Sequence, residues 1–230
     1  MNRANWATES DGINDKIISV NANIPTSCHF EAWVYHDALG KYVISKSAEA
    51  AGNNIYFSSG TTAGGNVLFA KYTGSWHSWQ TTATPISTGG WYHISLFYTA
   101  GTGSSIKCYV NGIAYTGSWT SGNGNTAGSN PSDNIRFHWQ KSGGATDRFD
   151  GKMADIRLWD AEQSQDLVQQ RMYKRLLGNE TNLYCYLPLD EGTGTSATDQ
   201  SGNSRTGTLS GSIAWVQGAP ISGTGSVQII

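Results

Sequence analysis

Short runs in which apolar and polar residues alternate dominate this chain, and that period is typical of half-buried β-strands. In Cys28–His36, for example, Phe30, Ala32 and Val34 share one face of an extended chain. Asn111-Gly112 directly follows another such run and is a strong signal for a tight hairpin, because both residues tolerate a positive φ. Further candidate strands are 15–20, 41–46, 54–58, 66–72, 91–99, 105–110 and 134–139. The pattern therefore predicts an all-β protein.

One segment has a helical period instead. Over 164–177, the residues Val168, Met172 and Leu176 recur at intervals of one turn and form a single apolar stripe. Ser164 is suited to cap the first turn of that helix. We expect one short helix over 164–177 that packs on the outside of a sheet, not a second domain.

Composition narrows the class of protein. The chain has 230 residues, 28 of them glycine, and only 14 % are charged, which suits one large β-domain with glycine-rich turns. The formal net charge of -2 leaves no basic surplus to neutralise phosphates, so nucleic acid is disfavoured as a partner. No apolar run is long enough for a membrane span, so membrane insertion is also disfavoured. We expect a single domain over 1–230, with 219–230 as a tail or linker.

Few charges and many Ser, Thr, Asn and Gly residues are typical of extracellular β-proteins, so we expect a secreted or cell-surface protein. The first residues, Met1–Trp6, lack the apolar core of a signal peptide. We therefore expect either that a signal has been removed or that this chain is a piece of a longer one, with tandem domains.

The chain has three cysteines, Cys28, Cys108 and Cys185, and each lies inside a strand-like run. An odd number excludes a full disulfide framework. Two interpretations stay open: three buried free thiols, or one pair and a free thiol. None of the three has the spacing of a metal-binding pair.

Several motifs resemble one family. Phe149–Asp160 is similar to a signature strand of laminin-G-like and pentraxin-like jelly-roll domains, which belong to the concanavalin A-like lectin/glucanase superfold. Further stretches that match in the same order are Asp11–Asp15, Glu31–Val34, Lys107–Gly112, Leu187–Gly194 and Asp199–Asn203. Ser10 stands where the family usually has Phe. The resemblance implies a two-sheet antiparallel jelly-roll sandwich.

Enzymes of this superfold carry alternating acids on one strand, so carboxylate pairs are the first candidates for catalysis. Within the strands predicted above, no Glu has an acidic residue two positions away. Asp190 and Glu191 are adjacent and would point to opposite faces. No Gly-x-Ser-x-Gly elbow is followed by a helix. We expect no catalytic residues, with a glycan-active hydrolase or lyase as an alternative.

The resemblance implies one structural calcium ion, held by the aspartate of the signature strand, which is Asp155 here. Asp11 and Gly12 of the first strand are its expected partners, and calcium prefers such oxygen ligands. We expect Asp155 to point away from Ala154 and Ile156. The alternative is that Asp155 accepts backbone N–H bonds or pairs with Lys or Arg.

Aromatic residues in polar segments are the candidates for ligand binding, because sugar rings stack on Trp and Tyr while amides bind hydroxyl groups. The polar loop 117–131 and the segment around 76–79 contain them. The candidates are Trp76, His77, Trp79, Tyr115, Trp119, Asn123 and Asn125. The alternative is that these tryptophans fill the sheet, which is what we expect of Trp33, Trp91, Trp139 and Trp159.

These observations predict a non-catalytic module that binds a glycan or another cell-surface ligand. A protein-recognition, adhesion or structural module is the alternative.

Overall fold

The computed structural model describes residues 5–13, 17–47, 54–59, 64–128, 133–138, 148–211 and 213–221. Most of these residues lie in antiparallel strands, as the alternating pattern predicts. The strands are β1 Trp6–Asp11, β2 Ile17–Val20, β3 Ser27–His36, β4 Lys41–Ser47, β5 Asn54–Ser59, β6 Val67–Tyr72, β7 Trp76–Thr81, β8 Trp91–Thr99, β9 Thr102–Val110, β10 Ile113–Tyr115, β11 Gly117–Ser121, β12 Ile135–Phe137, β13 Asp150–Trp159, β14 Leu183–Leu187, β15 Ser196–Ala197, β16 Gly207–Ser210 and β17 Ala214–Gln217.

The strands form two sheets. The first sheet has the order β10-β9-β8-β3-β13-β1-β17, and β14 pairs with the second half of β13. The second sheet has the order β11-β7-β6-β5-β4-β12-β2-β16-β15. This two-sheet sandwich confirms the predicted all-β jelly-roll class.

The main core fills the space between the sheets. Phe30 on β3 reaches across it, with ring centroids 5.6 Å from Phe57 and 6.4 Å from Phe137. Phe30, Ala32 and Val34 all belong to this core, so the face predicted for β3 is confirmed. Burial of these side chains supplies the main driving force for closing the sandwich.

All three cysteines are free and buried. Burial raises the pKa of Cys28 and of Cys108 to about 12, because the thiolate is poorly solvated there. The structure thus agrees with the first of the two interpretations, in which the thiols act as small apolar groups.

The helix α1 spans Gln165–Arg171 and ends earlier than the predicted boundary at 177. Ser164 caps it as expected, because its Oγ accepts a hydrogen bond from the backbone N–H of Leu167 at 3.3 Å. The helix stops because side chains of the first sheet bind the carbonyls that follow. Arg157 donates to the carbonyls of Arg171 and Lys174 at 3.1 and 2.6 Å. The described residues contain no helix with the length and hydrophobicity of a membrane-spanning segment.

A bulge interrupts β13 and changes which residues face the core. The register with β3 shifts between Ala154 and Arg157, and Asp155 takes a φ of 54°. Ile156 faces the main core, whereas Ala154 packs against Trp33 on the outer face of the first sheet. The expectation that Ala154 and Ile156 share a face is therefore wrong, because one extra residue inverts the alternation.

The start of the expected tail is packed against the sandwich. Ala219 and Ile221 are 3 % and 1 % exposed and contact Ala7, Trp33 and Ala154 on the outer face of the first sheet. Residues 222–230 lie outside the described residues. Residues 219–221 therefore pack with the folded domain and do not form part of a free tail.

Candidate functional site

A groove lies at one edge of the sandwich, where β10 ends the first sheet and β11 ends the second. The chain passes from one sheet to the other at Thr116, between these two edge strands. The groove has a volume of about 560 Å³, which is in the range of ligand sites. Its lining includes Trp79, Gly103, Lys107, Tyr115, Gly117 and Trp119.

Two tryptophans form its aromatic part. Trp79 on β7 lies directly opposite Trp119 on β11, and only 4 % of Trp79 is exposed. Trp119 is half-buried, and its Nε1–H donates to the carbonyl of Gly103 at 3.2 Å, which fixes its ring. Gly117 is required here, since a Cβ would stand 2.4 Å from the Trp79 ring and 2.2 Å from the Gln80 carbonyl oxygen.

Tyr115 stands on the opposite wall. It is half-buried on β10 and pairs in register with Cys108 of β9. The wall also contains the exposed residues Ser104, Lys107 and Thr116. An amphipathic ring beside hydroxyl groups and a lysine gives the mixture of apolar and hydrogen-bonding groups that small-molecule sites contain.

Part of the polar loop 117–131 is docked on the protein. The Nδ1 atom of His77 accepts the backbone N–H groups of Asn123 and Gly124 at 3.2 and 3.1 Å. The Tyr98 hydroxyl donates to the Gly124 carbonyl at 2.5 Å. Lys71 donates to the carbonyl of Thr126 at 2.8 Å and also to that of Ala127. His77, predicted as a ligand residue, therefore holds this loop from inside.

The two asparagines also support the loop. The Oδ1 atom of Asn125 accepts the N–H of Gly103 at 2.9 Å, and that of Asn123 accepts the N–H of Asn125 at 3.0 Å. Neither residue lines the groove. Their side-chain oxygens shape the backbone beside Trp119 and the groove.

Trp76 points away from Trp79, because residues three apart on a strand face opposite sides. It is 42 % exposed and makes an edge contact with Tyr72, with centroids 5.2 Å apart. The structure thus brings Trp79, Tyr115 and Trp119 together in one groove. It leaves Trp76, His77 and the two asparagines outside.

The tryptophans predicted to fill the sheet are buried to different degrees. Trp33 and Trp159 are buried, and Trp91 is half-buried. Trp139 lies outside the described residues. Trp33 donates from its Nε1 to the carbonyl of Met172 at 2.6 Å and so joins β3 to the end of α1.

Asp11, Gly12 and Asp155 do not form one site. Asp11 lies opposite Asp150, which is five positions, or roughly 15 Å, along β13 from Asp155. Asp155 is buried, 2.5 Å from the Arg157 guanidinium, and accepts a hydrogen bond from the Tyr186 hydroxyl at 2.9 Å. Among the described residues, no group of His, Cys, Asp and Glu is arranged to hold a metal ion. The predicted set does not fit calcium, because Asp155 is used as an ion-pair partner.

Acidic groups do gather at the Asp11 end of β13. Burial raises the pKa of Asp150, and the negative charges of Asp37 and Asp11 raise it further. The positive charge of Lys41 acts in the opposite direction and lowers that pKa. A Cβ on Gly12 would stand 2.9 Å from the Cβ of Asp150, so glycine is needed at this close approach.

A buried group of charges lies on the outer face of the first sheet. Glu31 is 3.4 Å from His93 and 3.5 Å from Arg157, and all three are fully or almost fully buried. Burial works to raise the pKa of Glu31, but the hydrogen bond to His93 and the charge of Arg157 outweigh it and lower the pKa to about 2. These groups are inaccessible to a ligand and instead join β3 and β13 to the segment after α1.

Sequence reasoning missed the residues of the β9 wall, above all Lys107. A usable signal was present in the Asn111-Gly112 turn. Counting outward from a two-residue turn pairs Tyr115 with Cys108 and places Lys107 next to that pair.

Comparison with known proteins identifies the family. Residues 11–169 match a laminin G family model described as the concanavalin A-like lectin/glucanases superfamily. No curated protein matches the chain.

Three solved structures share the fold. A candidate carbohydrate binding protein from Bacteroides ovatus has a TM-score of 0.69 and 23 % identity; the match covers 96 % of this chain but only 62 % of that one. The native heptameric SAP-like pentraxin from Limulus polyphemus has a TM-score of 0.64 and 11 % identity, covering 96 % and 99 % of the two chains. Domain 4 of the extracellular arabinanase AbnA from Geobacillus stearothermophilus, in complex with arabinotriose, has a TM-score of 0.54 and 16 % identity, covering 71 % and 75 %.

The family match extends over more than half of the chain, and the two sheets have the architecture that the resemblance implied. The chain belongs to the concanavalin A-like lectin/glucanases superfamily.

Proposed function

We propose that the protein is a non-catalytic glycan-binding module and that the groove between β10 and β11 holds the sugar. The observation that carries this proposal is the groove itself, in which Tyr115 and Trp119 stand beside hydroxyl groups and backbone. Sugar rings combine apolar C–H faces with hydroxyl groups, so this mixture suits them. The similarity to a candidate carbohydrate binding protein and to a domain in complex with arabinotriose supports the same class of ligand.

The groove lining supports a binding role without catalysis. Among the described residues that line it there is no carboxylate, and the acid pair of a retaining glycosidase needs two carboxyl groups about 5 Å apart. An open groove of this kind buries little ligand area, so we expect affinities from roughly micromolar to millimolar per site. Tandem copies in a longer chain would raise the avidity. We propose a secreted or surface-displayed protein as the setting.

The test is the replacement of Tyr115 by alanine. We expect Tyr115→Ala to weaken the binding of any oligosaccharide that the wild type binds by about fivefold or more, because an aromatic contact of this kind contributes about 1 kcal/mol or more. A glycan array identifies the oligosaccharide, and isothermal titration calorimetry measures the affinity. Trp79→Ala is unsuitable, since Trp79 is part of the main core.

Trp76→Ala is the matched control. Trp76 is aromatic and exposed, but it lies outside the groove. Binding that is retained in Tyr115→Ala and lost in Trp76→Ala would move the site to the outer face of the second sheet. An absence of saturable binding to every glycan, or turnover of a polysaccharide by purified protein, would contradict the proposed function.

A further inference from the structure

The Trp119 side of the groove rests on residues 122–128, which we call the docked segment. A Cβ on Gly124 would collide with the Trp119 ring, so the backbone of the docked segment packs directly against that ring. A Cβ on Gly103 would collide with the Asn123 carbonyl, and the Gly103 carbonyl accepts the Nε1–H of Trp119 at 3.2 Å. The docked segment therefore fixes one side of a ring that lines the groove.

His77 on β7 binds the docked segment through one nitrogen atom. Its side chain is buried, and its Nδ1 accepts the backbone N–H groups of Asn123 and Gly124 at 3.2 and 3.1 Å. Because a backbone N–H can only donate, this Nδ1 is unprotonated and the ring proton lies on Nε2. Nε2 then donates to the Thr73 hydroxyl at 3.1 Å. A single acceptor thus satisfies two backbone donors beside Trp119.

Protonation of Nδ1 would turn this acceptor into a donor. The two N–H groups of Asn123 and Gly124 would then face a third N–H, and buried donors without an acceptor are costly. Histidine is the side chain whose charge changes under mildly acidic conditions. We therefore expect acid to release the docked segment from β7.

The other titratable groups at this position keep their protonation state in acid. Lys71 on β6 lies in register with His77, and both Lys71 and Tyr98 of β8 donate to carbonyls of the docked segment. Burial lowers the pKa of Lys71 and raises that of Tyr98, and a fall in pH keeps the ammonium charged and the phenol neutral. A protonated His77 would add a second positive charge to the face that carries Lys71.

We propose that His77 is a positioning residue for the groove, which holds the docked segment against Trp119 only while its Nδ1 is unprotonated, so that acid weakens glycan binding. This inference rests on the proposed glycan-binding function. When the ring is no longer fixed, the sugar must immobilise it on binding, and ordering one large side chain lowers an affinity by roughly two- to tenfold. His77 itself stays outside the groove and acts through Trp119.

The experiment measures glycan affinity as a function of pH. The probes are arabinotriose, xylotriose and cellotriose, because none of them carries a group that titrates in mild acid. Isothermal titration calorimetry between pH 8 and pH 4.5 should show that the wild-type affinity for a bound probe falls roughly two- to tenfold. Circular dichroism at each pH verifies that the protein is folded where the affinity is measured.

His77→Asn separates the hydrogen bonds from the charge. The Oδ1 atom of asparagine accepts N–H groups but does not titrate, so this variant should bind a probe more tightly than His77→Ala and should lose the pH dependence. The matched control is Thr73→Val, which removes the partner of Nε2 and leaves Nδ1 in place. That variant should keep the fall in affinity in acid.

Three results would overturn the inference while leaving glycan binding in place. The first is a folded wild type whose affinity is the same at pH 8 and pH 4.5. The second is a His77→Asn protein with the wild-type pH profile, and the third is a Thr73→Val protein without pH dependence. If the wild type binds no glycan at any pH, the proposed function fails together with this inference.

Discussion

His29 shows how one buried side chain ties the sandwich to the segment before α1. Its Nδ1 accepts the backbone N–H of Gln163 at 2.8 Å, and its Nε2 lies 2.5 Å from the Ser95 hydroxyl. Because a backbone N–H can only donate, Nδ1 must be unprotonated, and the ring is neutral with its proton on Nε2. Protonation of Nδ1 would break the bond to Gln163.

The pKa of His29 follows from this setting. Burial lowers the pKa of His29 to about 4. The charges of Glu31 and Glu162 raise this pKa, whereas His93 and Arg171 lower it further. The unfolded chain binds the proton near pH 6.5, so the stabilisation is complete above that pH and is lost as the pH falls towards 4. The loss from this residue alone is about 3 kcal/mol.

We therefore expect the free energy of unfolding to fall between pH 6.5 and pH 4, as measured by urea denaturation at a series of pH values. His29→Asn keeps an acceptor for Gln163 but does not titrate, so it should flatten part of this slope. His36, whose pKa burial also lowers to about 4, should account for a further part. Equal stability of the wild type at pH 7 and pH 4 would contradict the prediction.

At the scale of elements, Arg157 decides how α1 sits on the first sheet. Its guanidinium binds two carbonyls at the end of the helix and the carboxylates of Asp155 and Glu31. An apolar side chain there would remove the guanidinium that lies beside both buried carboxylates. Breaking such a pair by removal of one partner is strongly destabilising.

Arg157→Met should accordingly lower the free energy of unfolding by about 3–5 kcal/mol in urea denaturation. Lys152→Met is the matched control, because Lys152 lies on the same strand and pairs with Glu9 at 3.2 Å but remains partly exposed. That variant should lose less than about 1 kcal/mol. Similar losses in the two proteins would show that the buried pair has no special role.

At the scale of the molecule, the groove exists because two sheets end at the same place. β10 pairs with Cys108–Val110, and the earlier part of β9 meets the β11 side at Gly103, whose carbonyl accepts a hydrogen bond from Trp119. The chain crosses at Thr116 and leaves Tyr115 and Trp119 on either side of the crossing. No single strand forms this site.

Asp11, Gly12 and Asp155 do not form one calcium site, but a calcium ion at Asp11 remains a prediction. If the ion binds at the first strand, adding calcium to chelator-treated protein should raise the melting temperature, because a ligand that binds only the folded state stabilises it. The same addition should have no effect on Asp11→Asn. Calorimetry without heat on calcium addition, together with an unchanged melting temperature of the wild type, would reject the ion.

Much of the fold was accessible from local patterns. Alternation in β3, the Asn111-Gly112 turn and the Ser164 cap all depend on neighbours within a few residues, which is why they are correct in the structure. The end of α1 and the bulge at Asp155 depend on contacts distant in the chain. Arg157 and Trp33 bind the carbonyls that a longer helix would have kept.

The candidate site was also predictable only in part from local sequence. Residue type and local polarity were enough to select aromatic residues in polar segments. Which of them share a groove depended on the pairing of β11 with β7 and on the meeting of two sheet edges. Local propensity acts over a few bonds, whereas a groove is made by surfaces that the chain brings together only when the core closes.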